Sequence, residues 1–188
     1  FLRVLLVGLL LFGMIGIVSA TTLTSKINMD NQFWLYLSTD NSLQGDFIQH
    51  TNDWPTTVVN TMKLVAGTDY YLHVHGNDYG SWSGFLGEFN LNSGDHEIEN
   101  GTNLLLTNNF DWEANNTGCG SEYNVTVDDY LPNGASPWNI QSAISSSARW
   151  IWAGGGSANN PTQDNVYFTT KISATTLGGN PVPEPTTM

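Results

Sequence analysis

The sequence has little positive charge. It contains five lysine and arginine residues against seventeen aspartate and glutamate residues, so the formal net charge of its 188 residues is −12. Phosphate backbones and anionic lipid headgroups repel a chain this acidic, which argues against nucleic-acid binding and against a role on an anionic membrane surface. The same charge fits cation binding, solubility outside the cell, or binding of neutral sugars.

Cysteine is nearly absent as well, because Cys119 is the only one in the sequence. A single thiol cannot close an internal disulfide, so we expect the fold to be held by its core and not by a disulfide framework. A catalytic thiol needs a base held beside it in a cleft, and no feature of the sequence supplies one. We therefore interpret Cys119 as an ordinary loop thiol.

Catalytic motifs are missing too. The sequence has no phosphate-binding loop, zinc-protease helix or nucleophile elbow, and no repeat at a fixed period. Carboxylates are plentiful, but no pair of them has a defined spacing on one element, as acid–base chemistry on sugars would require. These absences favour a non-catalytic protein.

Helical patterns are also scarce, and residues 139–147 are the only stretch that we predict as a short helix.

The N-terminal segment is typical of a signal peptide. Arg3 is its only charge, an apolar run covers residues 4–18, and small residues end at Ala20. A retained membrane anchor is the alternative, but the run is short for a spanning helix. We predict a signal peptide over residues 1–20, removed by signal peptidase after Ala20. Because position 1 is not Met, we expect the sequence to be a fragment at this end.

The remainder is rich in short aromatic and β-branched segments separated by Gly, Asn, Asp, Ser and Pro. Many short strands with turn signals at close intervals predict an all-β fold, an antiparallel β-sandwich over residues 21–174. About 150 residues are enough for one closed core. The last stretch, residues 175–188, contains two adjacent glycines and three prolines, and it is typical of a linker.

One predicted strand organises the others. Side chains alternate along a strand, so Tyr70, Leu72 and Val74 share a face that suits the core, while His73 and His75 share the opposite face. Two imidazoles about 7 Å apart could bind a metal. The simpler interpretation, which we prefer because the sequence fixes no third ligand, is that both are polar residues on a solvent face. The candidates for a third ligand are Asp69, Asp78 and His96.

The loop after this strand, residues 77–82, is the best candidate for ligand binding. Asn77, Asp78, Tyr79 and Trp82 combine hydrogen-bonding groups with two aromatic rings, which is the combination that sugar binding uses. We read Trp34, Trp150 and Trp152 as sheet or core residues because they lie in strand patterns. Four other tryptophans lie in loop-like contexts, where packing over the edge of the sandwich is the commoner outcome: Trp54, Trp82, Trp112 and Trp138.

The C-terminal tail contains a motif. Val182, Pro183, Glu184 and Pro185 follow the linker and resemble the start of the sorting signal of PEP-CTERM proteins, which are exported by Gram-negative bacteria. In that family a membrane-spanning helix and a basic cluster follow the motif, and an exosortase processes the signal. The resemblance implies an exosortase partner, a transient membrane anchor through a helix that does not occur before Met188, and a cell-surface or extracellular location.

The predicted domain resembles the galactose-binding-like jelly roll. The similar segments are residues 30–37, 64–67 with 70–74, 84–86, Thr107 with Trp112, and 148–153 with Tyr167 and Phe168. The resemblance implies a structural calcium as a candidate cofactor, for which Asp30, Asn31, Asp40 and Asn41 could supply oxygen ligands. The alternative is that these residues cap turns. Residues 38–41 interrupt the family's pattern, which weakens any ligand role at this first turn.

Together these observations predict an exported, non-catalytic cell-surface or extracellular-matrix protein, and the resemblance to PEP-CTERM proteins implies sorting by an exosortase and association with exopolysaccharide. A dedicated carbohydrate-binding module that uses residues 77–82 is the alternative. A metal-dependent hydrolase fragment that uses His73 and His75 is the third interpretation.

Overall fold

A computed structural model describes residues 20–92 and 94–175, and it confirms the predicted all-β fold. Within those ranges there are fourteen β-strands and no α-helix. The predicted signal peptide, apart from Ala20, and the sorting motif lie outside the described residues. The strands are β1 (Thr22–Asp30), β2 (Gln32–Ser38), β3 (Asp46–Thr51), β4 (Val58–Lys63), β5 (Tyr70–Asn77), β6 (Gly84–Leu91), β7 (His96–Ile98), β8 (Leu104–Leu106), β9 (Glu113–Asn115), β10 (Val127–Pro132), β11 (Arg149–Ala153), β12 (Gly156–Ser157), β13 (Asn160–Pro161) and β14 (Asn165–Ala174).

The strands form two antiparallel six-stranded sheets that pack as a sandwich. The first sheet has the order β10-β11-β6-β1-β4, with β8 paired to β6. The second has the order β3-β2-β5-β14-β7, with β9 paired to β14. The short strands β12 and β13 form a separate hairpin. The antiparallel sandwich predicted from the sequence is therefore confirmed.

The core lies between the sheets, where alternate residues of each strand point inward. Trp112 joins the two layers, because its ring lies 5.2 Å from that of Phe85 and 5.3 Å from that of Phe89 in the first sheet, and 6.4 Å from that of Phe168 in the second. Trp112 therefore packs in the core, as the commoner of the two interpretations for a loop tryptophan predicted.

The central strand β5 has the predicted inward face. Tyr70, Leu72 and Val74 are all buried in the core. Its opposite face differs from the expectation of a solvent face at His73, which is fully buried. Tyr123, from the loop after β9, stacks over the His73 ring with a centroid distance of 6.3 Å. A connecting loop thus covers part of this outer face.

A second apolar cluster lies on the outer face of the first sheet. Trp138 stacks on Trp150 with centroids 4.3 Å apart, and the segment between β10 and β11 packs over both rings. The short helix predicted over residues 139–147 is wrong, because this segment consists of turns. Asn133 replaces the helical hydrogen bonds, since its side-chain amide donates to the carbonyls of Gln141 and Ile144 and accepts from the Gln141 amide.

The chain crosses between the sheets several times at one end of the sandwich, and two of these crossings form the candidate site. Asp30 is paired with Gly84 in the first sheet, and Gln32 is paired with Asn77 in the second, so the first crossing occurs at Asn31. The second crossing is the loop from β5 to β6, residues 78–83. These two crossings lie side by side and place the candidate site.

Candidate functional site

The end of the sandwich at these crossings contains a cleft of about 260 Å³. We call it the tryptophan cleft. It brings together two groups of residues that the sequence analysis singled out separately, the Asp30–Asn31 pair and the loop that ends at Trp82. Its lining residues are Asp30, Asn31, Trp54, Gly80, Ser81, Trp82, Pro137 and Trp138.

Asp30 and Asn31 fix the floor of the cleft through short hydrogen bonds. The indole Nε1 of Trp138 donates to Asp30 Oδ2 at 2.7 Å, and Asn31 Nδ2 donates to Asp30 Oδ1 at 2.7 Å. Asn31 Oδ1 accepts from the Tyr79 amide at 2.6 Å, which ties the first crossing to the second. Burial raises the pKa of the Asp30 carboxyl, and the hydrogen bond from Trp138 offsets part of that rise.

Two tryptophans give the cleft its accessible aromatic surface. Trp54 and Trp82 are half-buried and pack against the second apolar cluster, whereas Trp138 is fully buried. The Trp82 ring meets Trp138 edge-on, with centroids 5.7 Å apart and planes at 77°. Trp138 is therefore a packing residue, whereas Trp54 and Trp82 leave part of their ring surface accessible in the cleft.

The other predicted residues of this loop fix its shape and do not line the cleft. The Asn77 side chain accepts from Gln32 Nε2 at 2.9 Å and donates to Asn165 Oδ1 at 3.0 Å. Tyr79 is 70% exposed and contributes its backbone amide. Of the four residues that were predicted in this loop, Trp82 is the one at the cleft.

Asp78 is the most unusual residue of the loop because it is only 3% exposed. The amides of Tyr79 and Gly80 are close enough to lower its pKa, but neither carboxylate oxygen has a hydrogen bond of normal geometry. Burial dominates and raises the pKa of Asp78 above its ordinary value. The Asp78 amide donates to the Asp164 carbonyl at 2.7 Å and anchors the loop.

His73 and His75 do not converge on a common ligand. His75 lies in a row of stacked rings across four strands, between Trp34 at 4.7 Å and Tyr167 at 4.2 Å, and His50 on β3 stacks on the other face of Trp34. The Nε2 atom of His75 lies 3.0 Å from Asn165 Oδ1. His73 lies beneath Tyr123, whose hydroxyl is 3.2 Å from His73 Nδ1. Burial lowers the pKa of His73 to about 4 and also lowers that of His75.

Two of the three residues proposed as a third metal ligand have other partners. Asp69 forms an ion pair with Lys171 at 2.7 Å, and His96 Nε2 lies 3.0 Å from the Thr68 carbonyl. Across residues 20–92 and 94–175, no three His, Cys, Asp or Glu side chains are grouped so that they could hold a metal ion. Around His75 the outer face of the second sheet consists of stacked rings.

The residues proposed for calcium are not gathered in one place. Asp30 and Asn31 lie before β2 and Asp40 lies after it, a separation of about 20 Å at the rise of a strand. Asp40 accepts hydrogen bonds from the amide and the hydroxyl of Ser42, which lower its pKa. Asp40 thus caps its turn, as the alternative interpretation predicted.

A second cleft of about 300 Å³ lies next to the first, and Trp82 lines both. We call it the hairpin cleft because the hairpin β12–β13 forms one wall. The sequence analysis missed it: strand β10 and the hairpin contain no residue pattern that distinguishes a binding surface from a turn. Its lining residues are Trp82, Asp129, Tyr130, Leu131, Gly156, Ser157, Ala158 and Asn159.

Comparisons with known proteins do not assign this chain to a family. No family model matches it, and neither the search of curated proteins nor the search of solved structures returned a match. Among the described residues, no helix is long and apolar enough to cross a membrane.

Proposed function

We propose that this chain is an exported, non-catalytic bacterial protein of the cell surface or extracellular matrix that associates with exopolysaccharide through the tryptophan cleft. One observation supports the binding role above the others. Two half-buried tryptophans, Trp54 and Trp82, line a cleft together with the polar groups of Asn31 and Ser81. Aromatic faces pack against the C–H faces of sugar rings, and hydroxyl and amide groups bind their hydroxyls.

The state of Asp30 supports a binding role over a catalytic one. It is the one carboxylate among the residues that line the tryptophan cleft, and both its oxygens accept hydrogen bonds within the protein. Glycoside hydrolysis normally requires two carboxyl groups that flank the scissile bond. A lone carboxylate engaged on both oxygens does not meet that requirement.

Sorting by an exosortase, after removal of the leader by signal peptidase, is the second part of the proposal. It rests on the resemblance of Val182, Pro183, Glu184 and Pro185 to a PEP-CTERM signal. The test is to add a membrane-spanning helix and a basic cluster after Met188, to express this precursor in an exosortase-containing Gram-negative host, and to compare it with its Glu184→Ala variant. We expect the variant to accumulate unprocessed. Equal processing of both proteins would contradict this part of the proposal.

The binding role is tested by screening the protein on a glycan array and measuring the affinity of each hit by calorimetry. We expect Trp82→Ala to weaken binding at least tenfold, which corresponds to about 1.4 kcal/mol. Phe110→Ala is the matched control, because Phe110 is an aromatic residue 87% exposed in a loop that does not line the cleft. Unchanged affinity in Trp82→Ala would exclude this cleft as the site.

A dedicated carbohydrate-binding module is the alternative, and the same cleft supports it. The two functions differ in what is bound. An exopolysaccharide-associated protein retains material made by its own cells, whereas a binding module recognises a glycan that the organism degrades. Pull-down with polysaccharide purified from the producing organism, compared with plant and algal glycans, separates them.

A further inference from the structure

Trp82 stands between the tryptophan cleft and the hairpin cleft. We infer that the two clefts together form one extended site for a neutral, linear glycan chain that crosses Trp82; this inference rests on the proposed function. The ligand class that follows is an oligomer several units long, because a single sugar would occupy one cleft and leave the other without contacts.

The volumes of the clefts support an extended ligand. Their volumes are about 260 Å³ and 300 Å³, at or below the lower end of the roughly 300–1,000 Å³ that is typical of small-molecule sites. Joined across Trp82, they fall well within that range. Trp82 belongs to the lining of each cleft, so a chain that contacts its indole can continue into both.

Polar side chains lie on both sides of the Trp82 ring. Ser81 lines the tryptophan cleft, while Ser157 and Asn159 are exposed along the hairpin cleft. Hydroxyl and amide groups on either side of an aromatic ring match the alternation of C–H faces and hydroxyl edges along a sugar chain. A ligand confined to one side would use only part of this arrangement.

Hydrogen bonds between loops fix the relative position of the two clefts. The Ser83 amide donates to the Ala158 carbonyl at 2.8 Å, which joins the loop of Trp82 to the hairpin. The bond from the Asp78 amide to the Asp164 carbonyl joins the same loop to the segment after the hairpin. Because these bonds already hold the loops in place, binding does not lose the conformational entropy that ordering two mobile loops would cost.

The charges indicate a neutral glycan. No lysine or arginine is among the residues that line either cleft, and Asp30 and Asp129 contribute carboxylates. Arg149 forms an ion pair with Asp129, so its positive charge is compensated. With a formal net charge of −12 for the chain, glycans that carry uronate or sulfate groups are repelled.

The test measures affinity against chain length. The purified protein is titrated by calorimetry with neutral homo-oligosaccharides of one to six units from the cello-, laminari-, xylo- and manno- series, and with oligogalacturonates as the anionic comparison. For the series that binds, we expect affinity to rise at least tenfold between two and six units, and we expect no binding of oligogalacturonates.

Three variants test whether the second half of the glycan binds in the hairpin cleft. Asn159→Ala is expected to weaken binding of the six-unit ligand at least threefold and to leave the two-unit ligand unchanged. Asn103→Ala, an exposed asparagine at the opposite end of β6, is the matched control and should change neither affinity. Trp82→Ala should weaken both ligands.

The outcomes separate this inference from the proposed function. Equal affinity for two and six units, with Trp82→Ala still weakening both, would overturn the extended site and leave the glycan-binding function standing. Tighter binding of oligogalacturonates than of any neutral series would overturn the ligand class. Absence of binding to every glycan in the screen would overturn the proposed function and this inference with it.

Discussion

The indole of Trp138 donates a hydrogen bond of 2.7 Å to the buried carboxylate of Asp30, across 108 positions of the sequence. This bond fixes the segment between β10 and β11 to the end of β1. It also brings the second apolar cluster, in which Trp138 stacks on Trp150, to the edge of the tryptophan cleft. Stability and the shape of the site therefore depend on the same pair of residues.

Trp138→Phe should destabilise the fold by about 2 kcal/mol or more, because it removes the donor and leaves a buried carboxylate oxygen without a partner. Guanidinium unfolding at pH 7 measures the effect. In the double variant with Asp30→Asn the buried charge is absent, so the added loss from Trp138→Phe should be smaller. If the stability losses of the two single variants simply added in the double variant, the hydrogen bond would make no specific contribution to stability.

Asp78 predicts a dependence of stability on pH. Its pKa in the folded state is raised above the ordinary value of 3.8, so the unfolded chain loses its proton first as the pH rises. The free energy of unfolding contributed by Asp78 is therefore fully present below pH 3.8 and is lost as the pH rises through the folded-state pKa. We expect Asp78→Asn to gain stability relative to the unsubstituted protein as the pH rises above 3.8, as measured by denaturant unfolding.

Asp40→Asn is the matched control for this measurement, because the hydrogen bonds from Ser42 lower the pKa of Asp40. Its contribution to stability is present above pH 3.8 and is lost at lower pH, so the substitution should have the opposite sign. The same pH profile for both variants would contradict the assignment of a buried, unpartnered carboxylate to Asp78.

His73 should remain neutral throughout the physiological range. Burial lowers its pKa to about 4, whereas an unfolded chain binds a proton near pH 6.5. The protein should therefore lose stability as the pH falls from about 6.5 towards 4, and His73→Gln should reduce that loss. Proton NMR of the imidazole resonances measures the pKa directly. A midpoint above 6 would show that the ring is open to solvent.

Gly84 is required where two tryptophans meet the start of β6. A Cβ atom at this position would lie 2.8 Å from the Trp150 ring and 3.0 Å from the Trp138 ring, both of which are fully buried. Gly84→Ala should therefore cost about 1–3 kcal/mol, as overpacking of a dense core does. Thermal unfolding checks this value. Gly94→Ala, where no atom lies within 4 Å, is the control and should have little effect.

The sequence predicted those parts of the fold that depend on local pattern. Alternation in β5 and β14 and the turn residues between strands are local signals, and the structure follows them. The helix predicted over residues 139–147 does not form, and the reason is physical. The apolar residue Ile144 of this segment packs onto the cluster of Trp138 and Trp150, and the Asn133 side chain donates hydrogen bonds to, and accepts one from, backbone groups of the segment. A helix would therefore add little stability, because these apolar and backbone groups already have partners.

The site could be predicted only in pieces. Trp82 and the Asp30–Asn31 pair were each identifiable by residue type, but their adjacency follows from two crossings between sheets that no local pattern encodes. The hairpin cleft depends on the pairing of Gly156 and Ser157 with Asn160 and Pro161, which in sequence is indistinguishable from an ordinary glycine-rich turn. Both clefts therefore depend on contacts between segments that are distant in the sequence.

The loop that covers His73 has a practical consequence for experiments on this protein. Cys119 lies in that loop, and burial raises the pKa of its thiol to about 11. At pH 8 only about one thiol in a thousand is ionised, so alkylating reagents react slowly with the closed loop. The rate at which Cys119 is labelled therefore measures how often the loop opens. No cysteine has to be introduced, and no other thiol contributes to the signal, because the sequence contains no other cysteine.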